Sequence, residues 1–128
     1  MAYTQYGQIA HRIRERNSEV RFTMADRLGM TYEEMSAIEA GFKKVTPELI
    51  QKLVEEYKID LEEEQEIREA AKAANEYYEM IKNQVIQNFV QKYNIGPEEE
   101  QEIREAANAS DDWLKVINEL VKQKEAQA

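Results

Sequence analysis

Among the side chains of this sequence, the carboxylates come closest to the number and spacing of the groups in a reactive site. The run EEEQEIREAA occurs twice, at residues 62–71 and again at residues 98–107. Paired carboxylates can act as general acid and base when a cleft and a neighbouring group shift their pKa values. The sequence supplies no such neighbour. We therefore interpret both runs as solvated helix faces whose glutamates lie in first helical turns, where the helix dipole favours negative charge.

The sequence lacks the residues that a metal site or a catalytic nucleophile needs. The chain has no cysteine, and its single histidine is His11. A zinc site needs several cysteine or histidine ligands, and a di-metal site in a helical bundle needs Glu-x-x-His pairs. Phosphate-loop, dinucleotide-binding and nucleophile-elbow patterns are also absent from the sequence. We interpret His11 as a lone surface residue, and the sequence predicts no enzyme, no cofactor and no metal site.

Aromatic residues of the C-terminal part form a second group that could bind a ligand: Tyr77, Tyr78, Phe89, Tyr93 and Trp113. Aromatic rings stack on single-stranded bases where basic residues lie among them. Residues 49–128 carry ten Lys or Arg against nineteen Asp or Glu, so core or dimer packing is the favoured interpretation. Residues 1–48 carry seven of each, and all of the net charge of −9 therefore lies after them. Because phosphate contacts need Lys and Arg, only the N-terminal part is suited to face DNA.

Helices must position all of these residues. Glu, Lys, Gln, Ala and Leu dominate the composition, and only four glycines and two prolines interrupt the chain. Apolar residues recur at three- and four-residue steps. These features predict an all-α fold. Gly29 and Gly41 are placed to end helices, Thr31 to cap one, and Pro47 to begin one. The predicted helices cover about 3–16, 21–28, 32–40, 47–57, 61–92, 97–108 and 111–125.

An internal repeat extends the two acidic runs. Residues 49–71 and 85–107 are identical at fifteen of twenty-three positions, with an offset of 36. The repeated unit reads as a helix, a short turn and an acidic helix, which indicates a duplicated helical hairpin. Two copies are too few for a solenoid.

Residues 20–47 have the composition of a helix-turn-helix. This unit needs a small residue where its two helices approach, a turn glycine and apolar contacts between the helices. Ala25 and Gly29 meet the first two requirements. The apolar contacts are assigned to Met24, Leu28, Met35 and Ile38.

The segments MADRLGMTYEEMSAIEAG (24–41) and SAIEAGFKKVTP (36–47) resemble the Cro/CI-like (Xre) family of phage and bacterial regulators, most closely its prophage and mobile-element members. The resemblance covers about residues 5–72. It implies a five-helix lambda-repressor-like DNA-binding domain over residues 1–72. Residues 73–128 then form a helical extension that contains the second copy of the hairpin and serves for dimerisation or partner binding.

The family resemblance implies a role for each matching residue. Arg21, Lys43 and Lys44 match positions that contact phosphate, and Arg14 and Glu39 match an ion pair between the first and third helices. The start of the third helix is expected to enter the major groove with Thr31, Tyr32, Glu33, Ser36 and Ala37.

The recognition helix is acidic where the family often has Gln, Arg or Lys. Glu33 has two open interpretations: it can accept a hydrogen bond from cytosine N4, or it can stabilise the helix N-terminus. Val20 stands where the family often has threonine, so the second helix lacks a good N-cap.

The functional expectation is a sequence-specific transcriptional regulator, a repressor by type, that binds double-stranded DNA as a homodimer. Two recognition helices would then meet a palindromic operator at half-sites about 34 Å apart. The apolar stripes of the extension are the proposed dimer surface, and one of them, on the last helix, consists of Trp113, Ile117, Leu120 and Val121. One alternative is an antitoxin-like or anti-repressor-like adaptor that binds a protein partner through its acidic helices. A further alternative is an acidic mimic of DNA.

No stretch approaches the roughly twenty apolar residues that a membrane span needs. The first residues lack the basic-then-apolar profile of a signal peptide. The sequence therefore predicts no membrane partner and a cytoplasmic location.

Overall fold

The computed structural model describes residues 3–127, and the regular secondary structure in that range is entirely helical, which confirms the all-α prediction. Within that range no helix is long and apolar enough to cross a membrane. The seven helices of this described range are α1 Gln5–Arg16, α2 Arg21–Arg27, α3 Tyr32–Ala40, α4 Pro47–Tyr57, α5 Leu61–Lys92, α6 Pro97–Ala109 and α7 Trp113–Gln127.

Capping residues fix where several of these helices begin. Helix α1 begins two residues later than the prediction of residue 3, because Thr4 is its N-cap and accepts a hydrogen bond from the Gly7 N–H at 3.1 Å. Helix α4 begins at Pro47, and the Thr46 hydroxyl accepts from the Leu49 N–H at 3.1 Å. Each cap satisfies an N–H group that would otherwise lack a partner at a helix start.

The chain forms two compact units, Met1–Tyr78 and Glu79–Ala128. Their division falls inside α5, between residues 78 and 79, whereas the sequence reading placed the domain boundary between residues 72 and 73. Each copy of the repeat lies wholly within one unit, residues 49–71 in the first and residues 85–107 in the second.

The core of the first unit collects one apolar face from each of α1 to α5. Helices α1, α2 and α3 pack against one another, and the first part of α5 closes the core with small side chains and Ile67. The core residues are Tyr6, Ile9, Ala10, Ile13, Met24, Ala25, Leu28, Met35, Ile38, Val45, Leu49, Ile50, Leu53, Tyr57, Ile59, Ile67, Ala70, Ala71 and Ala74.

The second unit buries side chains from the end of α5, from α6 and from α7: Ile86, Phe89, Val90, Ile103, Ala107, Trp113 and Ile117. Trp113 is 0% exposed and Ile117 is also buried, so the first half of the stripe proposed as a dimer surface belongs to this core. Leu120 and Val121 are half-buried and still reach the surface. Of the other aromatic residues, Tyr78 is buried in the first unit, whereas Tyr77 remains exposed.

The two copies of the repeat adopt the same local conformation. Lys58 and Asn94, which are 36 residues apart, both have left-handed backbone angles, with φ of 50° and 53°. The residue after each donates its N–H to a carbonyl five residues back, Ile59 to Val54 at 3.1 Å and Ile95 to Val90 at 2.9 Å. The duplication therefore preserved the hairpin turn as well as the sequence.

Corresponding side chains of the two copies also behave alike. Ile67 and Ile103 are both buried, each in the core of its own unit. On the exposed side, the guanidinium of Arg68 donates to Glu64 and that of Arg104 donates to Glu100, with Nε–Oε2 distances of 3.0 Å in both pairs. These pairs are four residues apart on a helix surface, where opposite charges stabilise the helix modestly.

Candidate functional site

Helix α3 is held at both ends by local signals. The Thr31 hydroxyl accepts a hydrogen bond from the Glu34 N–H at 3.0 Å and contacts the Glu34 carboxylate at 3.2 Å. Glu33 and Glu34 lie in the first turn, where the helix dipole favours negative charge. Gly41 ends the helix with a φ of 92°, and a Cβ there would lie 2.7 Å from Cδ1 of Tyr77. Both the backbone conformation and this close approach therefore require glycine.

The two sides of α3 have different surroundings. Its inner side chains, Met35, Ile38 and Glu39, are buried in the first unit. The predicted DNA-contacting residues lie together on the other side, where Thr31, Tyr32 and Glu33 are exposed and Ser36 and Ala37 are half-buried. The helix therefore presents its N-terminal half as a surface while its inner face is fixed.

The loop between α3 and α4 carries the two predicted phosphate-binding lysines. Lys43 is half-buried and Lys44 is exposed, with its Nζ 5.4 Å from the centroid of the Tyr78 ring. Asn75 fixes the end of this loop, because its Oδ1 accepts from the Val45 N–H at 2.8 Å and its Nδ2 donates to the Val45 carbonyl at 3.0 Å. The loop conformation is thus set by a side chain of α5.

A buried ion pair joins α1 to α3 beneath this surface. Arg14 donates from Nη1 to Oε2 of Glu39 at 2.6 Å and from Nη2 to Oε1 at 3.0 Å, and Glu39 is only 1% exposed. These are the two residues that the family resemblance pairs. Gly7 permits the close approach, since a Cβ there would lie 2.6 Å from the Glu39 carbonyl oxygen. Burial, together with the nearby charge of Glu39, raises the pKa of the Tyr6 hydroxyl.

Arg21, the first residue of α2, lies against this ion pair. Its Nε donates to Oε1 of Glu39 at 3.2 Å, and its Nη1 donates to Oγ of Ser36 at 3.4 Å. Its guanidinium also lies near two aromatic rings, with Cζ 4.9 Å from the Tyr3 centroid and 5.8 Å from the Tyr32 centroid. The residue that the sequence assigned to phosphate is therefore already bound by protein groups.

This surface also has an apolar part that was not predicted from the sequence. Val20 and Phe22 flank Arg21 and are 67% and 69% exposed, and Tyr32 is 44% exposed. A shallow groove of about 410 Å³ includes Val20, Arg21 and Tyr32, and Tyr3, Gln8, His11, Arg14 and Glu19 complete its lining. Phe22 could have been recognised from periodicity, because Met24, Ala25 and Leu28 already define the buried side of α2.

Val20 is the N-cap residue of α2 and makes no side-chain hydrogen bond to the helix. This weak helix start agrees with the prediction from the sequence. Because an apolar N-cap leaves the first N–H groups of a helix without a side-chain partner, we expect them to depend on water or on a ligand.

Three glutamates of the first acidic run, Glu63, Glu64 and Glu66, form ion pairs with arginines. Glu63 accepts hydrogen bonds from Arg16 at 2.7 Å and from Arg12 at 3.0 Å, and these bonds lower the pKa of its carboxyl. The lowered pKa extends the ionised state of this carboxylate, in which it pairs with arginine, to more acidic pH. Across residues 3–127 no three His, Asp or Glu side chains are grouped so that they could hold a metal ion.

Comparisons of the chain with protein-family models, with curated proteins and with solved structures found no match.

Proposed function

We propose that this chain is a sequence-specific DNA-binding transcriptional regulator, a repressor by type, that acts as a homodimer on a palindromic operator. The proposal rests on the different surroundings of the two sides of α3. Its N-terminal half is exposed and capped, while Glu39 on its inner side is locked to Arg14. A helix fixed in this way presents a rigid surface, as insertion into a major groove requires.

Charge favours this surface over the rest of the chain. Lys43 and Lys44 follow the C-terminal end of α3, and residues 1–48 are neutral overall, whereas residues 49–128 have a net charge of −9. DNA phosphates would therefore meet less repulsion at the N-terminal part. Glu33, exposed in the first turn, is then positioned either to accept from a cytosine N4 group or to stabilise the helix start.

Replacing both loop lysines is the first test of this proposal. We expect the K43A/K44A variant to bind an operator duplex at least about tenfold more weakly at roughly 0.15 M salt, because two cations that neutralise phosphates are removed. The slope of log K against log salt should become shallower by about 0.9 for each phosphate that is no longer neutralised. Fluorescence anisotropy over a series of salt concentrations measures both quantities.

The matched control is K115A/K122A, which removes the same charge from two exposed lysines of α7. This variant should keep the wild-type slope. Equal slopes for wild type and K43A/K44A would contradict the placement of DNA against the loop after α3.

An adaptor that binds a basic protein partner is the second candidate. Helix α6 favours it, because Glu98, Glu99, Glu102 and Glu105 are all exposed on one short helix. In the first copy of the repeat, the corresponding Glu63 and Glu66 bind arginines of α1. In the second copy, Glu99 pairs with Lys124 at 3.0 Å.

An adaptor would bind its partner equally well with or without Lys43 and Lys44, so the K43A/K44A variant separates the two functions.

A further inference from the structure

Arg21 is held on several sides at the start of α2. Its Nε donates to the buried carboxylate of Glu39, and its Nη1 donates to the hydroxyl of Ser36. Its Cζ lies within 6 Å of the centroids of Tyr3 and Tyr32, a distance at which a guanidinium is attracted to an aromatic ring. The side chain is consequently only 12% exposed.

Glu39 does not need Arg21 for charge neutralisation. Arg14 already binds both carboxylate oxygens, at 2.6 Å and 3.0 Å. The contribution of Arg21 is therefore geometric: its planar group joins α2 to α3 and to the segment before α1, through contacts with Tyr3, Glu39 and two residues of the exposed side of α3. Those two residues, Tyr32 and Ser36, both belong to the predicted reading surface.

We propose that Arg21 is a positioning residue that fixes Tyr32 and Ser36 for base reading, instead of supplying charge to a DNA phosphate. The inference rests on the proposed function. A tyrosine at an exposed helix start can occupy several rotamers, and a ring held against Arg21 occupies fewer. Fixing the reading side chains before binding reduces the entropy that is lost when they contact base edges. Arg21 would thus determine specificity without touching DNA.

The R21K variant separates the two roles. Lysine keeps the positive charge but has no planar fork to donate to Glu39 and Ser36 together or to stack between two rings. A phosphate contact would largely survive R21K, whereas a positioning role would not. Both roles would be lost in R21Q, which removes the charge as well.

The experiment uses the full-length chain and a duplex selected by the wild-type protein from random DNA. The affinities of wild type, R21K and R21Q are measured over a series of KCl concentrations, with K43A/K44A as the reference for weakened phosphate binding. We expect R21K and R21Q to bind at least about fivefold more weakly, the lower range for one base contact, with the wild-type salt slope unchanged. Repeating the selection with R21K should give relaxed preference at some base pairs of each half-site.

Y32L is the second variant, because it removes the ring while leaving the pair of Arg14 and Glu39 intact. It should relax the same base pairs as R21K, and combining the two changes should weaken binding no further than the stronger single change, since both break one contact. Circular dichroism checks that each variant is folded. If R21K is not folded, R21Q decides through its salt slope, which keeps the wild-type value for a positioning role and falls by about 0.9 for a phosphate contact.

Two results would overturn the inference in distinguishable ways. If R21K binds as wild type while R21Q loses about 0.9 of the salt slope, Arg21 is a phosphate contact and only this inference fails. If the wild-type chain selects no duplex, the proposed function fails, and the reading role of Arg21 fails with it.

Discussion

The E39Q variant should lose about 3–5 kcal/mol of unfolding free energy, the cost of removing one partner from a buried ion pair. Glu39 is 1% exposed and accepts from Arg14 at 2.6 Å and 3.0 Å and from Arg21 at 3.2 Å. Without the carboxylate charge, the buried guanidinium of Arg14 has no counter-charge. Small domains have about 5–15 kcal/mol of stability in total, so this loss should be large in urea unfolding at neutral pH.

The control for E39Q is the same substitution at Glu66. Glu66 also accepts a short hydrogen bond from an arginine, Arg12 at 2.6 Å, but the pair is about half exposed. Exposed pairs contribute about 0–1 kcal/mol, so E66Q should be nearly silent. The double variant R14M/E39L should recover part of the loss, because it removes the buried charge of Arg14 and leaves only Arg21 without its carboxylate partner. Equal losses for E39Q and E66Q would contradict the role assigned to this buried pair.

The W113A variant should unfold the second unit, Glu79–Ala128. Trp113 is 0% exposed, and truncating a buried aromatic residue to alanine costs about 3–5 kcal/mol. A compact unit of this size has about that much stability in its hydrophobic core. Backbone amide spectra should therefore lose dispersion for residues 79–127, while the signals of residues 3–78 stay dispersed.

W113A also tests the proposed location of the dimer contacts. If the helical extension after residue 72 joins two chains, the mass in solution should fall to that of one chain, 15.0 kDa. N118A, at an exposed position of α7, is the matched control and should leave both the spectrum and the mass unchanged. A dimer that survives with its second unit unfolded would contradict this location.

Local signals explain why the helices could be predicted so closely from the sequence. Thr31, Gly41, Thr46 and Pro47 act on the backbone within a few residues of their own positions, and the structure uses each of them at a helix boundary. The ten-residue identity between residues 62–71 and 98–107 likewise predicted a repeated hairpin, because identical short segments favour the same local conformation.

Contacts between distant residues explain what could not be predicted from the sequence. The guanidinium of Arg21 meets groups eighteen and fifteen residues away, Glu39 and Ser36, and no local spacing predicts that arrangement. The apolar stripe of α7 posed the same difficulty. Periodicity identified Trp113 and Ile117 as apolar and aligned, but it could not tell whether they face their own unit or a partner.

If α3 functions as proposed, its exposed side reads DNA sequence. The most direct measurement is selection of bound fragments from random duplex DNA by the full-length chain at moderate salt, followed by sequencing. We predict enrichment of a palindrome whose half-sites are about 34 Å apart, roughly one turn of the double helix. Recovery of fragments with no common sequence would contradict the claim and would favour the adaptor.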